Sequence, residues 1–323
     1  MTPHRARVLF ALVTIAPVLD AQQALVRQPV LAWVFDSGSG AIRTIAGVSG
    51  AGLVDEPIPL GLTLEKALAA PSGPWALAES RDRAGTLLIH LVGQAPAVTN
   101  LEGAPAGVDA MAFSPSSRHA ALYWASARRI QVWSGLPDAP RLGLELDYDD
   151  AVESLALADD GRAVVVGAGR TLVAISQTGA RTPLLDVAWS SFGFRPGSRE
   201  LAVADFEGNR VLLLPDLIPG MEYAAREFAV ERPAAAAFSG DGRRLAVTSP
   251  STESIALIDL PTGGQEVLVC DCRPDGLFRM QGNFVFRLKN SLKGPIWILD
   301  SDHGEPRITS VSGIRAANSG GLQ

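Results

Sequence analysis

The sequence predicts an all-β fold: a ring of small antiparallel sheets, a β-propeller, with seven blades favoured and six as the alternative. Three observations predict it. Glycine (32 residues) and proline (22) are frequent enough to punctuate many short strands, and a hydrophobic content of 47% supplies a core. An apolar anchor followed by a polar turn recurs as Phe113-Ser-Pro-Ser-Ser-Arg118, Leu157-Ala-Asp-Asp-Gly-Arg162, Phe194-Arg-Pro-Gly-Ser-Arg199 and Phe238-Ser-Gly-Asp-Gly-Arg243, in steps of 44, 37 and 44 residues. A second apolar run follows each anchor at a steady offset. Self-similarity at about 40 residues, with four short strands per copy, marks a propeller.

Taken in order, the chain opens with His4, Arg5 and Arg7 ahead of the uncharged run from Val8 to Leu19. That run is too short for a bilayer-crossing helix but matches the core of a signal peptide, with cleavage expected after Ala21. The expected organisation is therefore a signal peptide at 1–21, a short lead at 22–30, one propeller domain at 31–312 and a tail at 313–323. No later segment reads as a membrane span, and the protein is expected in the periplasm or outside the cell. A net charge of −6, with lysine only at 66, 289 and 293, gives no basic footprint, so nucleic acid is not an expected partner.

Leu31-Ala-Trp-Val-Phe-Asp36 with the turn Ser37–Gly40 matches only the latter half of the repeating unit. Next comes Thr63-Leu-Glu-Lys-Ala-Leu-Ala-Ala70, which alone would pass as a capped helix but stands in register with the first strand of each unit. Those first strands are rich in small residues: Ala110 and Ala112, Ala156 and Ala158, Gly193, Ala234 to Ala237. Small side chains permit close approach at a propeller axis, which accounts for alanine runs in strands despite their helical preference. Asp160-Gly161 and Asp241-Gly242 allow the positive φ of a tight hairpin. Second runs begin near 31, 87, 130, 172, 211, 255 and 296, and first runs appear six times, so one blade is incomplete. Pairing N- and C-terminal segments closes the ring and removes exposed sheet edges.

The units resemble the repeats of TolB-like, WD-repeat-like and YVTN-type bacterial propellers. The resemblance rests on Phe238-Ser-Gly-Asp-Gly-Arg-Arg-Leu-Ala-Val247 and Ile255-Ala-Leu-Ile-Asp-Leu-Pro-Thr-Gly263, while Ala204-Asp-Phe-Glu-Gly-Asn-Arg-Val211 is similar to NHL-type repeats. It covers nearly all of the chain after residue 30. These classes host binding modules, envelope assembly factors and enzymes alike, so the resemblance implies an architecture and no activity.

Few residues carry recognisable chemistry. His90, His119 and His303 sit in different units without metal-ligand spacing, and no thiol–haem or nucleophile-elbow motif occurs. No catalytic residue, metal site or cofactor is assigned. Cys270 and Cys272 are the whole thiol inventory; a disulfide is the leading reading, with a soft-metal or redox role and free thiols as alternatives. Four residues before successive anchors stand Glu65, Asp109 and Glu153, with Asp275 near the equivalent place in the last unit. They open the innermost strands at one channel mouth and could hold a cation or an amine, or be merely solvated strand starts. Arg118, Arg162, Arg199 and Arg243 read as solvated turn ends. The functional expectation is a non-catalytic, monomeric exported propeller that binds an envelope protein or glycan through its loop faces. The alternative is a lactonase-like hydrolase or lyase with a cation and acids at the channel mouth.

Overall fold

The structure, a computed structural model, describes residues 28–92, 95–217, 223–302 and 304–314. Seven antiparallel sheets stand around a common axis, and the described residues contain no helix. Blade 1 has three strands, Val30–Asp36, Ala41–Val48 and Ala51–Val54. Blades 2 to 7 have four each, hydrogen-bonded in chain order. Their inner strands are Leu64–Ala69, Ala110–Phe113, Ser154–Leu157, Trp189–Phe194, Ala235–Phe238 and Phe278–Arg279. The protein is a seven-bladed β-propeller. The segment with helical propensity is the strand Leu64–Ala69, paired in antiparallel register with Trp75–Ser80. Packing between blades overrides local preference there.

The recurring anchors Phe113, Leu157, Phe194 and Phe238 are each the last residue of an inner strand. Behind each lies the same turn: the N–H of Ser117, Gly161, Ser198 or Gly242 donates to the carbonyl three residues earlier. In blades 3, 4 and 6 the residue that closes this turn has φ of 63, 68 and 68°. Blade 5 reaches the same reversal through Pro196 and Gly197, the latter at φ 69°. Proline followed by a left-handed glycine defines a type II turn.

Each sheet buries both faces against its neighbours. Trp75, Leu77 and Leu88 of blade 2 meet Leu122, Trp124 and Trp133 of blade 3. Trp33, Phe35 and Ile42 of blade 1 pack on blade 2, while Ala32, Val34 and Ile45 pack on Met280, Val285 and Ile298 of blade 7. The ring is thus closed by apolar side chains. Ser312, just after the last strand of blade 7, adds to this closure by bridging Leu53 of blade 1 in parallel.

The N-terminal half unit forms three strands rather than two because Gly47 and Gly50, at φ 109 and 82°, turn the chain once more at its outer edge. Leu31 accepts a hydrogen bond from Gln281 N–H in the first turn of blade 7, and Gly40 accepts one from Leu64 N–H at the start of blade 2's inner strand. Val30–Asp36 therefore runs in the direction of the second strands of the other blades. Among the described residues, blade 1 has no strand in the innermost position.

Candidate functional site

Glu65, Asp109 and Glu153 stand at the starts of the inner strands of blades 2, 3 and 4, all exposed. Each reaches the turn between the second and third strands of its own blade, sixteen residues on. Asp109 Oδ2 accepts from Ala125 N–H at 2.7 Å, Glu153 Oε1 from Gly169 N–H at 3.1 Å, and Glu65 Oε1 pairs with Arg81 Nε at 3.2 Å. Asp275 is exposed at the corresponding end of blade 7, where its N–H bonds Leu288 O. Among the described residues no three His, Cys, Asp or Glu side chains come close enough to hold a metal ion. His90 and His119 lie half-buried in blades 2 and 3, and His303 is outside the described residues. Cys270 and Cys272 are joined in a disulfide, both buried, with Cα atoms 5.1 Å apart.

The opposite ends of the inner strands enclose a cavity of about 220 Å³ on the axis. The anchors Phe113, Leu157, Phe194 and Phe238 form its rim wall, with Leu155 and Phe192 two residues further down their strands and Phe286, paired with Arg279, in the second strand of blade 7. Strands rise about 3.3 Å per residue, so this mouth lies on the order of 13 Å from the acids that begin those strands. Blade 7 places Arg279, instead of an apolar anchor, at the last position of its inner strand. Among the described residues, Arg279 is the one charged residue lining the cavity. Its Nη1 donates to Phe238 O at 3.3 Å and its Nη2 to Asn283 O at 3.4 Å, both long contacts. Burial pushes this guanidinium below its ordinary value, against the pull of Asp302, Asp241 and Asp159.

Those three carboxylates are occupied elsewhere. Asp159 takes Ser116 N–H at 2.6 Å and Gly197 N–H at 2.8 Å, thereby joining the first turns of blades 3 and 5 to that of blade 4. Asp241 takes Ser239 Oγ–H, Arg243 N–H and Asn283 Nδ2–H. Asp302 takes the N–H groups of Asn283 and Phe284. Among the described residues, no carboxylate lies within ion-pair distance of Arg279.

The first turns are stitched to one another around this mouth. Ser72 Oγ–H donates to Pro115 O at 2.8 Å, and Asp241 N–H donates to Asn283 Oδ1 at 2.7 Å. Arg199 departs from the expected solvated turn end: its Nε donates to Asp160 Oδ2 of the preceding blade at 2.8 Å. Arg118, Arg162 and Arg243 are exposed. A second buried cation, Arg287, is pushed down to about 10 by burial. It donates to the carbonyls of Lys289 and Asn290 and lies over the Phe278 ring, so it fastens the loop after its own strand.

Sequence reasoning missed Arg279 and Asp159. The signal for the first was the register, because Arg279 lies 41 residues after Phe238, one blade further on. Its turn departs from the pattern that marked the other anchors. Nothing in the sequence pointed to Asp159 as a bridge, since its partners are backbone N–H groups.

No family model matches the chain, and no curated protein matches it. Among solved structures it is similar to a functionally unknown protein from Desulfotomaculum acetoxidans, at 11% identity and a TM-score of 0.59 over 87% of this chain and 99% of that one. It is similar to a catalytically inactive virginiamycin B lyase from Staphylococcus aureus with quinupristin, at 14% identity and a TM-score of 0.52 over 87% of this chain and 91% of that one. Dihydro-haem d1 dehydrogenase NirN in complex with DHE matches at 19% identity and a TM-score of 0.52, over 78% of this chain and 57% of that one. At such identities the likeness extends to the propeller fold, which enzymes and other proteins share.

Proposed function

We propose that this protein is a binding propeller whose working face is the ring of first turns and the channel mouth it encloses. One observation carries the reading: inner strands of five blades converge on a cavity whose lining side chains, among the described residues, are apolar apart from Arg279. Ligand sites are concave, mostly apolar and fitted with a few placed polar groups. The turns around the mouth are tied laterally by side chains, so the face is preformed and binding costs little ordering. A protein or glycan over the rim and a small molecule in the channel both suit such a face; enclosure by five blades favours the small molecule.

Gly193 provides the test. It lines the cavity, and a Cβ built there meets nothing within 4 Å, so a side chain at this position leaves the strand into open space. Small metabolites that raise the melting temperature of the protein should leave Gly193→Leu unshifted, with its own melting point preserved. Equal shifts in both proteins would refute the channel reading.

Export is part of the same proposal. The basic lead and apolar run at residues 4–19, outside the described residues, support it, as do the bonded Cys270 and Cys272, since disulfides persist in oxidising compartments. Intact-mass measurement of the natively produced protein should find a chain beginning after Ala21; a retained leader would count against export.

A further inference from the structure

We propose that the channel cavity binds a small monocarboxylic acid, its carboxylate paired with Arg279 and its apolar end, of about one ring, against the phenylalanines of the inner strands. This rests on the channel reading above and names the ligand class.

Size comes first. A cavity of about 220 Å³ is smaller than the usual range for drug-sized ligands, roughly 300–1,000 Å³. A dry apolar cavity of about 150 Å³ accommodates benzene. The channel therefore suits one ring with a short substituent. The chemistry of the wall comes second. Phe113 and Phe192 are half-buried in the lining, Phe194 and Phe238 back it from the cores between blades, and among the described residues no lining side chain except Arg279 is charged.

Charge decides the rest. The Arg279 guanidinium is half-buried with two long contacts to carbonyl oxygens, and no carboxylate among the described residues lies at ion-pair distance. A buried guanidinium gains most from a carboxylate that takes two parallel N–H bonds. Asp159 and Asp302 could not swing to supply that pairing without freeing backbone N–H groups of neighbouring turns. An amine ligand would meet a fixed cation in the wall, and a phosphate dianion would find one cation where it needs more. A monocarboxylate matches in both charge and number.

The test is calorimetric titration with three ligands of one skeleton: phenylacetate, phenylacetamide and phenethylamine. Phenylacetate should bind about tenfold or more tightly than the amide, the usual advantage of a charge-assisted pair, and the amine should bind too weakly to measure. In Arg279→Gln the acid should lose its advantage while the amide binds as before. Arg279→Lys, which keeps the charge without the fork, should recover part of it. Melting curves of both variants show whether the ring is intact. Equal binding of acid and amide, or an acid preference that survives in Arg279→Gln, would overturn the anion assignment and leave the channel reading standing. Undiminished binding of acid and amide in Gly193→Leu would overturn the channel reading itself. No binding of any of the three at millimolar concentration would overturn the assignment of ligand class.

Discussion

Asp241 takes hydrogen bonds from Ser239, from the N–H of Arg243 and from Asn283 of the next blade. Burial pushes its carboxyl up, but these donors outweigh it and leave the group below the ordinary carboxylate value. Asp36 and Asp160 show the same balance, the first through Ser39 and Arg43, the second chiefly through Arg199. A carboxyl whose folded pKa is depressed contributes stability above its unfolded pKa, near 3.9, and loses that contribution as pH falls through the folded value. The urea midpoint should therefore hold from neutrality to about pH 5 and drop on further acidification. Asp36→Asn, Asp160→Asn and Asp241→Asn combined should lower the neutral midpoint yet flatten the acid limb. A midpoint that rises on acidification, or an acid limb unchanged in the triple variant, would contradict this. These residues also show what one sequence can reveal. Asp160, Asp241, Glu65, Asp109 and Glu153 were all visible as recurrent acids. Their partners were not, because three of them reach backbone N–H groups or an arginine sixteen residues ahead, and such pairing depends on how a sheet folds back.

At the level of the hairpin, the first turns of blades 3 to 6 were legible because their backbone requirement has a compositional trace. Gly161 and Gly242 hold φ of 68°, where an L side chain is strained, and the Asp-Gly pairs announce it. Blade 3 satisfies the same geometry without a glycine, with Ser117 at φ 63°. Blade 7 abandons the pattern, with Gly282 at φ 123° and Arg279 in place of an anchor, which is why its polar residue in the channel wall escaped notice. The strand Leu64–Ala69 makes the reverse point: local preference said helix, and only the repeat spacing located it correctly. Two glycines of blade 4 separate backbone strain from crowding. Gly169 sits at φ 55° with nothing within 4 Å of an added Cβ, whereas at Gly161 that Cβ would come 2.7 Å from His119 Cδ2 of blade 3. Gly169→Ala should cost about 1 kcal/mol, the penalty of a left-handed L-residue, and Gly161→Ala more, because the imidazole must also move. Chemical denaturation of the two variants measures both. Equal losses would mean that His119 yields freely and that the first turns are less tightly stitched than their hydrogen bonds imply.

For the ring as a whole, the joint expected to open first is that between blades 1 and 7, where blade 1 brings three strands instead of four. Each blade is too thin to bury its own faces and depends on two neighbours, so stability is shared out along seven interfaces. Six of the seven blades have four strands, while blade 1 has three and lacks an inner strand among the described residues. That asymmetry was only half legible: the count of second runs gave seven blades and one incomplete, but not the third strand, because Val48-Ser-Gly-Ala51 carries no repeat signature. The joint to blade 7 is held by Ala32, Val34 and Ile45 against Met280, Val285 and Ile298, by the Gln281–Leu31 hydrogen bond and by the Ser312–Leu53 bridge. Ile45 and Ile175 are both fully buried, the first at this joint and the second between blades 3 and 4. Ile→Ala at either site should cost about 2–5 kcal/mol, since the deleted atoms and the cavity left behind are alike. The location of the damage should differ. Hydrogen exchange in Ile45→Ala should accelerate in blades 1 and 7 while blades 3 to 5 keep their protection, because opening a joint that is already the least reinforced leaves the remaining interfaces intact. In Ile175→Ala the ring still closes through the same joint, so loss of protection should centre on blades 3 and 4. Were Ile45→Ala to accelerate exchange uniformly around the ring, the seven interfaces would have to open as one unit, and the incomplete blade would be no weaker than the rest.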